Sequence, residues 1–216
     1  FPSLLKYVTL EPAHEAEYVP VLNEKELQDM ITAVSASSEL SFDTETTSVD
    51  PLLAELVGIS FAVEPYKAYY LPLAHTYAGV PKQLDRDHAL QALAPVLANA
   101  SIKKIGQNMK YDLLVLGHYG IAVQGLSFDT MIASYVLNPS KMSHGLEAIA
   151  LEYLNYKITT YADVTGTGKK RIGFNEVGLE TAARYSGEDA DITLRLKRVL
   201  APKLAEHNLE KLFHEI

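Results

Sequence analysis

An α/β fold, with a central mixed β-sheet flanked by α-helices, is predicted by three features of this sequence. Three strand-like segments, 40–46, 56–63 and 68–73, follow one another with short connections, as in an antiparallel meander. Beyond them, apolar residues recur at helical spacing. A further short apolar strand, 102–105, falls among those helices. This order of elements buries a sheet under helices.

The first helix is marked by Asn23 and Glu26, a capping pair, and carries Leu27, Met30, Ile31 and Val34 at helical spacing. Leu40 and Phe42 begin the first strand, which runs on through Asp43-Thr44-Glu45-Thr46. Glu64-Pro65 turns the second strand into the third, and Pro72 closes the third. Segment 85–97 is helical, with Leu90, Leu93 and Leu97 on one face, and Gly106 breaks the 102–105 strand. Segment 108–116 is the next helix. Asp129 caps a helix over 131–137 that Asn138-Pro139 terminates. Segment 144–154 is helical and 157–173 is a loop or a few short turns. From Asn175 onward the chain is helical, with a break or kink near Pro202.

The chain has 216 residues, 48% of them hydrophobic. A chain of this length buries about 70% of its extended surface, enough for one sizeable core. No Gly/Ser-rich linker or charge block interrupts the middle, so one domain is expected over 19–216. Residues 1–18 start at Phe1 rather than Met and include Pro12, with Pro20 just beyond. They read as a linker from a longer polypeptide, or equally as a processed terminus. Cysteine is absent, which excludes disulfides and thiolate metal sites and fits a reducing cytosol. No apolar run reaches the roughly eighteen residues of a membrane span, and no signal-peptide pattern opens the chain.

Acidic residues outnumber Lys plus Arg by 27 to 19, a formal net charge of -8. That argues against a protein gripping duplex nucleic acid by its backbone. Two short basic runs, Lys103-Lys104 and Lys169-Lys170-Arg171, are expected as solvated surface clusters or as local phosphate contacts. Gly166-Thr167-Gly168-Lys169 lacks the full phosphate-loop pattern and follows no apolar strand, so it is given no nucleotide-binding role. His75 and His144 are isolated and read as structural.

Chemistry concentrates in three acidic segments. Strand alternation points Asp43 and Glu45 to one face, while Leu40 and Phe42 enter the core from the other. Paired carboxylates repel, and Mg2+ or Mn2+ would offset that repulsion through oxygen ligands. Asn108 and Asp112 stand at i and i+4 of a helix, as do Tyr185 and Asp189. Met109 and Leu113, on a neighbouring face, hold the first of these helices down. Glu188 and Asp191 are taken as background acids. If the fold gathers the three segments, four acids, two metals and a tyrosine suit phosphoryl transfer to water.

The same residues resemble the proofreading 3′→5′ exonuclease domain of bacterial-type family A DNA polymerases (DNA polymerase I). The resemblance rests on 42–46 (FDTET), 56–64 (LVGISFAVE), 106–112 (GQNMKYD), 128–130 (FDT) and 184–193 (RYSGEDADIT), and runs from about Val19 to the end. It implies an RNase H-like exonuclease fold of the DEDD type with a tyrosine in the third motif. Asp43, Glu45 and Asp189 would then ligate a first divalent ion, Mg2+ or Mn2+. Asp43 would bridge to a second, Asp112 would hold that one through water, and Tyr185 would orient the attacking water. Thr44, Val49, Gln107, Asn108, Tyr111 and Tyr161 match substrate-contacting positions. Val49 stands where the family usually has a leucine wedge, and Tyr161 where it commonly has phenylalanine. The implied partner is a DNA 3′ end, single-stranded or frayed, and a polymerase domain is expected C-terminal to residues 208–216. The implied location is the bacterial cytosol or nucleoid, with no membrane.

Two other functions compete with this one. Ribonuclease D-like exoribonucleases share the four acids and the tyrosine, but the flanking stretches here fit the polymerase family better. A catalytically silent structural or single-strand-binding domain would show loss of a motif acid, and none is lost.

Overall fold

In a computed structural model that describes residues 15–215, the chain opens with a strand β1 (Glu17–Pro20) and a helix α1 (Glu24–Ser35). The expected linker lies outside the described residues for 1–14. Its last residues, Glu17 and Tyr18, are part of β1, so the fold starts earlier than residue 19. The meander follows as β2 (Glu39–Thr46), β3 (Leu56–Glu64) and β4 (Lys67–Pro72), paired antiparallel in succession. Next come α2 (Arg86–Leu97), β5 (Lys103–Gly106), α3 (Met109–His118), β6 (Leu126–Asp129), α4 (Thr130–Leu137) and α5 (Leu146–Leu154). The segment expected as loop holds a short helix, α6 (Tyr161–Thr165), and a 3-10 turn at Gly168–Lys170. A long α7 (Leu179–Glu206) and a short α8 (Glu210–Glu215) end the chain.

The six strands form one mixed sheet in the order β1-β4-β3-β2-β5-β6. The β1, β5 and β6 pairings are parallel. Strand alternation sends Leu40 and Phe42 of β2, with Ile59 and Phe61 of β3, to one face, under α1, α2 and α3. Each such buried side chain contributes about 1.5–3 kcal/mol. The other face lies under α7, with α4, α5 and α8 beside it, around Ala62, Ala68, Ile105 and Phe128. Residues 186–196 of α7 are all buried, so this helix runs through the molecule rather than over it. Gly187 permits that depth: a Cβ there would stand 2.8 Å from the Cβ of Tyr18. No described helix is long and apolar enough to cross a membrane.

Three local expectations are corrected. Lys104 is neither a solvated surface lysine nor a phosphate contact. It is fully buried, and its Nζ donates to the carbonyls of Val96, Asn99 and Ile102 at 2.9, 2.6 and 3.0 Å. Those carbonyls lie at and just beyond the C-terminal end of α2, where backbone acceptors lack helical donors and attract a cation. Pro202 does not break α7, since one lost N–H is outweighed by the buried Leu200 and Leu204 on either side. The helix ends at Glu206, and Asn208 two residues on, with a φ of 57°, lets Leu209 N–H bond the Leu204 carbonyl at 2.8 Å. Asn108 is not helical. It precedes α3 with φ 62°, so it does not share a helical face with Asp112.

The buried lysine leads to an expected result. Lys104→Met would leave three carbonyls without their donor, at a cost of about 1–3 kcal/mol for each group left unpaired. Thermal unfolding should register a drop of about 2–4 °C per kcal/mol for a domain of this size. An unchanged Tm would show that these bonds are not stabilising.

Candidate active site

The ladder between β2 and β5 ends at Ser41↔Ile105, so residues 43–46 run on past the β5 pairing. Asp43 and Glu45 point to the α7 face, opposite Leu40 and Phe42, as the alternation predicts. Their antiparallel neighbours are small: Ser60 faces Asp43 and Gly58 faces Glu45. Gly58 is required, because a Cβ there would lie 2.3 Å from the hydroxyl of Tyr70. That hydroxyl is paired with His75 Nε2 at 2.7 Å. From α7, Asp189 reaches the same place. Carboxylate oxygens of Asp43, Glu45 and Asp189 all lie within 4.8 Å of one another.

Asp112 arrives from α3, at the edge of β2. Its Oδ1 accepts from the backbone N–H of Thr44 at 3.1 Å and from the Thr44 hydroxyl at 2.5 Å. Its placement depends on Asp129, which the sequence assigned to one helix only. Asp129 accepts from Met131 and Ile132 N–H at the start of α4, at 2.9 and 3.2 Å. It also accepts from Asn108 and Met109 N–H at the start of α3, at 3.2 and 2.8 Å. One carboxylate thus caps two helices and sets the angle at which Asp112 enters.

Electrostatically the site is strained. Burial, and then the charge of Asp189, hold the Asp43 carboxyl well above its usual range. Burial, Asp43 and Asp189 do the same to Glu45. Burial and Asp43 raise Asp112 against the opposing Thr44 hydrogen bonds. Burial and Glu188 raise Asp189. Glu45 Oε1 and Asp189 Oδ1 are buried with no hydrogen-bond partner. Buried acceptors are normally paired, and buried like charges repel. A divalent cation bound through oxygen supplies both missing terms, so this cluster fits one.

Tyr185, one turn before Asp189 on α7, stands beside the acids. Burial first, then the charges of Asp189, Glu45 and Asp43, push its phenol far above the usual tyrosine value. Its ring lies 6.3 Å from Tyr161 and 5.8 Å from Phe174. A cavity of about 360 Å³ opens over Asp43, Glu45, Asp189 and Tyr185. Thr44, Val49, Asn108, Tyr111 and Tyr161 also line it, and Gln107 does not. Both ends of the Gln107 amide are engaged, Nε2 with the His144 carbonyl at 3.0 Å and Oε1 with the Thr130 hydroxyl at 2.5 Å. Tyr111 donates to the Ser48 carbonyl and so braces the turn that carries Val49. Val49 itself is 89% exposed.

Some residues had more to do than the sequence indicated. Glu188 is buried and accepts from the Tyr156 hydroxyl and Thr159 N–H, both at 2.7 Å, tying the segment before α6 to α7. Asp191 is fully buried and accepts from the Tyr18 hydroxyl at 2.9 Å and Tyr66 N–H at 2.7 Å. Both hold partners to the long helix. Helical position alone did not reveal them, because every face of α7 is covered here. His75 and His144 are structural as expected. His75 Nδ1 pairs with the Val177 carbonyl and His144 Nδ1 with the Ser134 hydroxyl, at 3.0 and 2.9 Å.

A mixed sheet with buried carboxylates gathered at one strand, able to hold a divalent cation beside a tyrosine, defines a metal-dependent phosphodiester hydrolase. Residues 18–205 match the sequence family described as 3'-5' exonuclease, and the chain belongs to that family. The DNA polymerase I of Pseudomonas aeruginosa is 42% identical over 192 residues, covering 88% of this chain and 21% of that protein. The DNA polymerase I of Rhizobium leguminosarum is 36% identical over 228 residues, covering 97% and 22%. The chain therefore spans about a fifth of the length of these relatives. Among solved structures, Brucella melitensis NrnC superposes with a TM-score of 0.67 at 23% identity, covering 93% of this chain and 87% of the other. Pol1 from M. smegmatis, in complex with DNA primer-template and dNTP, gives 0.65 at 19%, covering 87% and 28%. These two likenesses establish the shared fold.

Proposed function

We propose that this chain hydrolyses the 3′-terminal phosphodiester of single-stranded or frayed DNA and releases nucleoside 5′-monophosphates. It would be the proofreading part of a DNA polymerase whose polymerase domain follows it. The carrying observation is the cluster of Asp43, Glu45 and Asp189 oxygens within 4.8 Å, two of its carboxylates each with an unpaired buried oxygen.

Two divalent ions, Mg2+ or Mn2+, would supply Lewis acidity and neutralise phosphate charge when bound. Asp43, Glu45 and Asp189 would hold one of them. Asp43 and Asp112 would hold the other, with Asp112 oriented by Thr44. The Tyr185 phenol, held above the ordinary tyrosine value by burial and the neighbouring carboxylates, keeps its proton at neutral pH and positions water by hydrogen bonding rather than as a base. Val49, exposed at the cavity rim, would wedge against the terminal base, and Tyr161 would offer the strand an aromatic wall. Base–aromatic contacts of this kind are worth about 1–3 kcal/mol.

At net charge -8, long-range attraction to a polyanion is absent, so binding must rest on local contacts. A paired terminus must first unstack and fray, which costs a few kcal/mol, least at a mismatch. Time courses on one 3′-labelled sequence as single strand, matched duplex and 3′-mismatched duplex, with an RNA twin, test the reading. The single strand should be cut fastest, the mismatched end next and the matched end slowest, and chelator should stop all three. Equal rates on matched duplex and single strand at subsaturating substrate would overturn it. Faster cutting of the RNA twin would reassign the substrate to RNA.

A further inference from the structure

Among the described residues lining the carboxylate cavity, Arg171 alone is cationic. It also lines a neighbouring cavity of about 480 Å³, between α6 and the 166–171 turn, and the two cavities share Tyr161 and Arg171. Arg171 is exposed, and its Cζ lies 5.2 Å from the centroid of the Tyr161 ring. The far end of that aromatic group is Phe174, 6.1 Å from Tyr161 and near-parallel to it. The backbone is held as well. Arg171 N–H bonds the Gly168 carbonyl at 3.3 Å, and Ile172 N–H bonds the Thr165 carbonyl at 2.9 Å. Among the described residues, no carboxylate forms an ion pair with Arg171. A guanidinium held against an aromatic ring, at the mouth of an acidic pocket and without a counter-ion, is poised for an anion arriving from outside.

We infer that Arg171 binds a non-scissile phosphate of the substrate strand, where the strand leaves the carboxylates and crosses into the second cavity. This rests on the exonuclease reading above and deepens it. The scissile phosphate lies among the acids, where divalent ions are its partners. The next phosphates along the strand have no such partner, and the planar fork of Arg171 matches a phosphate with two parallel N–H···O bonds. Binding at this point fixes the register of the strand without touching the reacting atoms, so it governs KM rather than kcat. The neighbouring Lys169 and Lys170 do not line the carboxylate cavity.

The test uses this chain with single-stranded oligodeoxynucleotides carrying one neutral methylphosphonate, placed in turn at each linkage near the 3′ end other than the scissile one. Arg171→Ala should raise KM on the unmodified strand about tenfold and leave kcat within about twofold, as expected for one charge-assisted contact. One methylphosphonate position should impose the same rise on the parent and no further rise on Arg171→Ala. The salt dependence of binding should lose about 0.7 from its log–log slope, the share of one phosphate on a single strand. Arg171→Lys should recover part of the affinity, since it keeps the charge and loses the fork. An unchanged Tm separates this from a structural effect. The inference is overturned if every methylphosphonate penalises parent and Arg171→Ala alike, or if the variant changes kcat at constant KM. Fluorescence anisotropy of the same strands in chelator reads the contact without turnover. It decides the question even if the parent hydrolyses no DNA, an outcome that would remove the exonuclease reading alone.

Discussion

Asp43→Asn is expected to lower the rate of DNA hydrolysis by more than the ~10²–10³ typical of losing one transition-state donor. In the proposed two-ion site its carboxylate would serve both ions, so its loss should damage both together. Asp112→Asn, held off to one side by Thr44, should spare the first ion more. The same Asp43→Asn change should stabilise the protein in chelator. Burial and the like charge of Asp189 raise the Asp43 pKa, so the charged form opposes folding and removing it relieves the cluster. The pH dependence follows with the same sign. Asp43, Glu45, Asp112 and Asp189 all have raised values, so the folded chain binds more protons than the unfolded one above the ordinary carboxylate range near ~4. Stability without metal should then fall as pH rises from that range through the raised values. Mn2+ binds only the ionised acids in the folded state, so it should raise Tm most at the upper end of this window. Differential scanning calorimetry with chelator and with Mn2+, at several pH values, measures all of this. An Asp43→Asn variant as active as the parent at saturating Mn2+ would end the metal assignment.

Tyr185→Phe is the second large effect. Removing one hydroxyl should reduce kcat about 10²-fold while Mn2+ affinity stays nearly unchanged. The ring is held by Tyr161 and Phe174, at 6.3 and 5.8 Å, and phenylalanine preserves both contacts. Folding should therefore be intact, and the loss should be chemical. Parallel titrations of Mn2+ binding and steady-state kinetics distinguish the possibilities. Weakened Mn2+ binding with unchanged kcat at saturation would make the tyrosine a support for the ion site instead of a partner of water.

How much of this was visible beforehand varies with the range of the interaction. Period-two alternation through 40–46 was enough to place Leu40 and Phe42 in the core and Asp43 with Glu45 on the opposite face. The meander was visible for the same reason, since strand, turn and strand are neighbours in the chain. Strand β6 was missed because it is only four residues long and carries no alternation that stands out. Lys104 was misread because a lysine beside another lysine looks solvated until three carbonyls are folded around its ammonium. Asn108 was placed in the helix because a left-handed residue before α3 leaves no periodic trace.

By itself, then, the sequence determined the meander, most of the helices, the faces of β2 and the residues able to carry the chemistry. Those follow from local backbone geometry and from side-chain type. Only the tertiary structure decided that Asp189 meets Asp43 and Glu45 within 4.8 Å, that Asp129 caps two helices to aim Asp112, and that Arg171 closes the rim over Tyr161. The first two join segments well separated in the chain, and the third depends on how the 161–171 turn is closed. Such contacts exist only once the sheet and α7 have packed, and the loop-closure entropy they overcome depends on the whole fold rather than on any short stretch of residues.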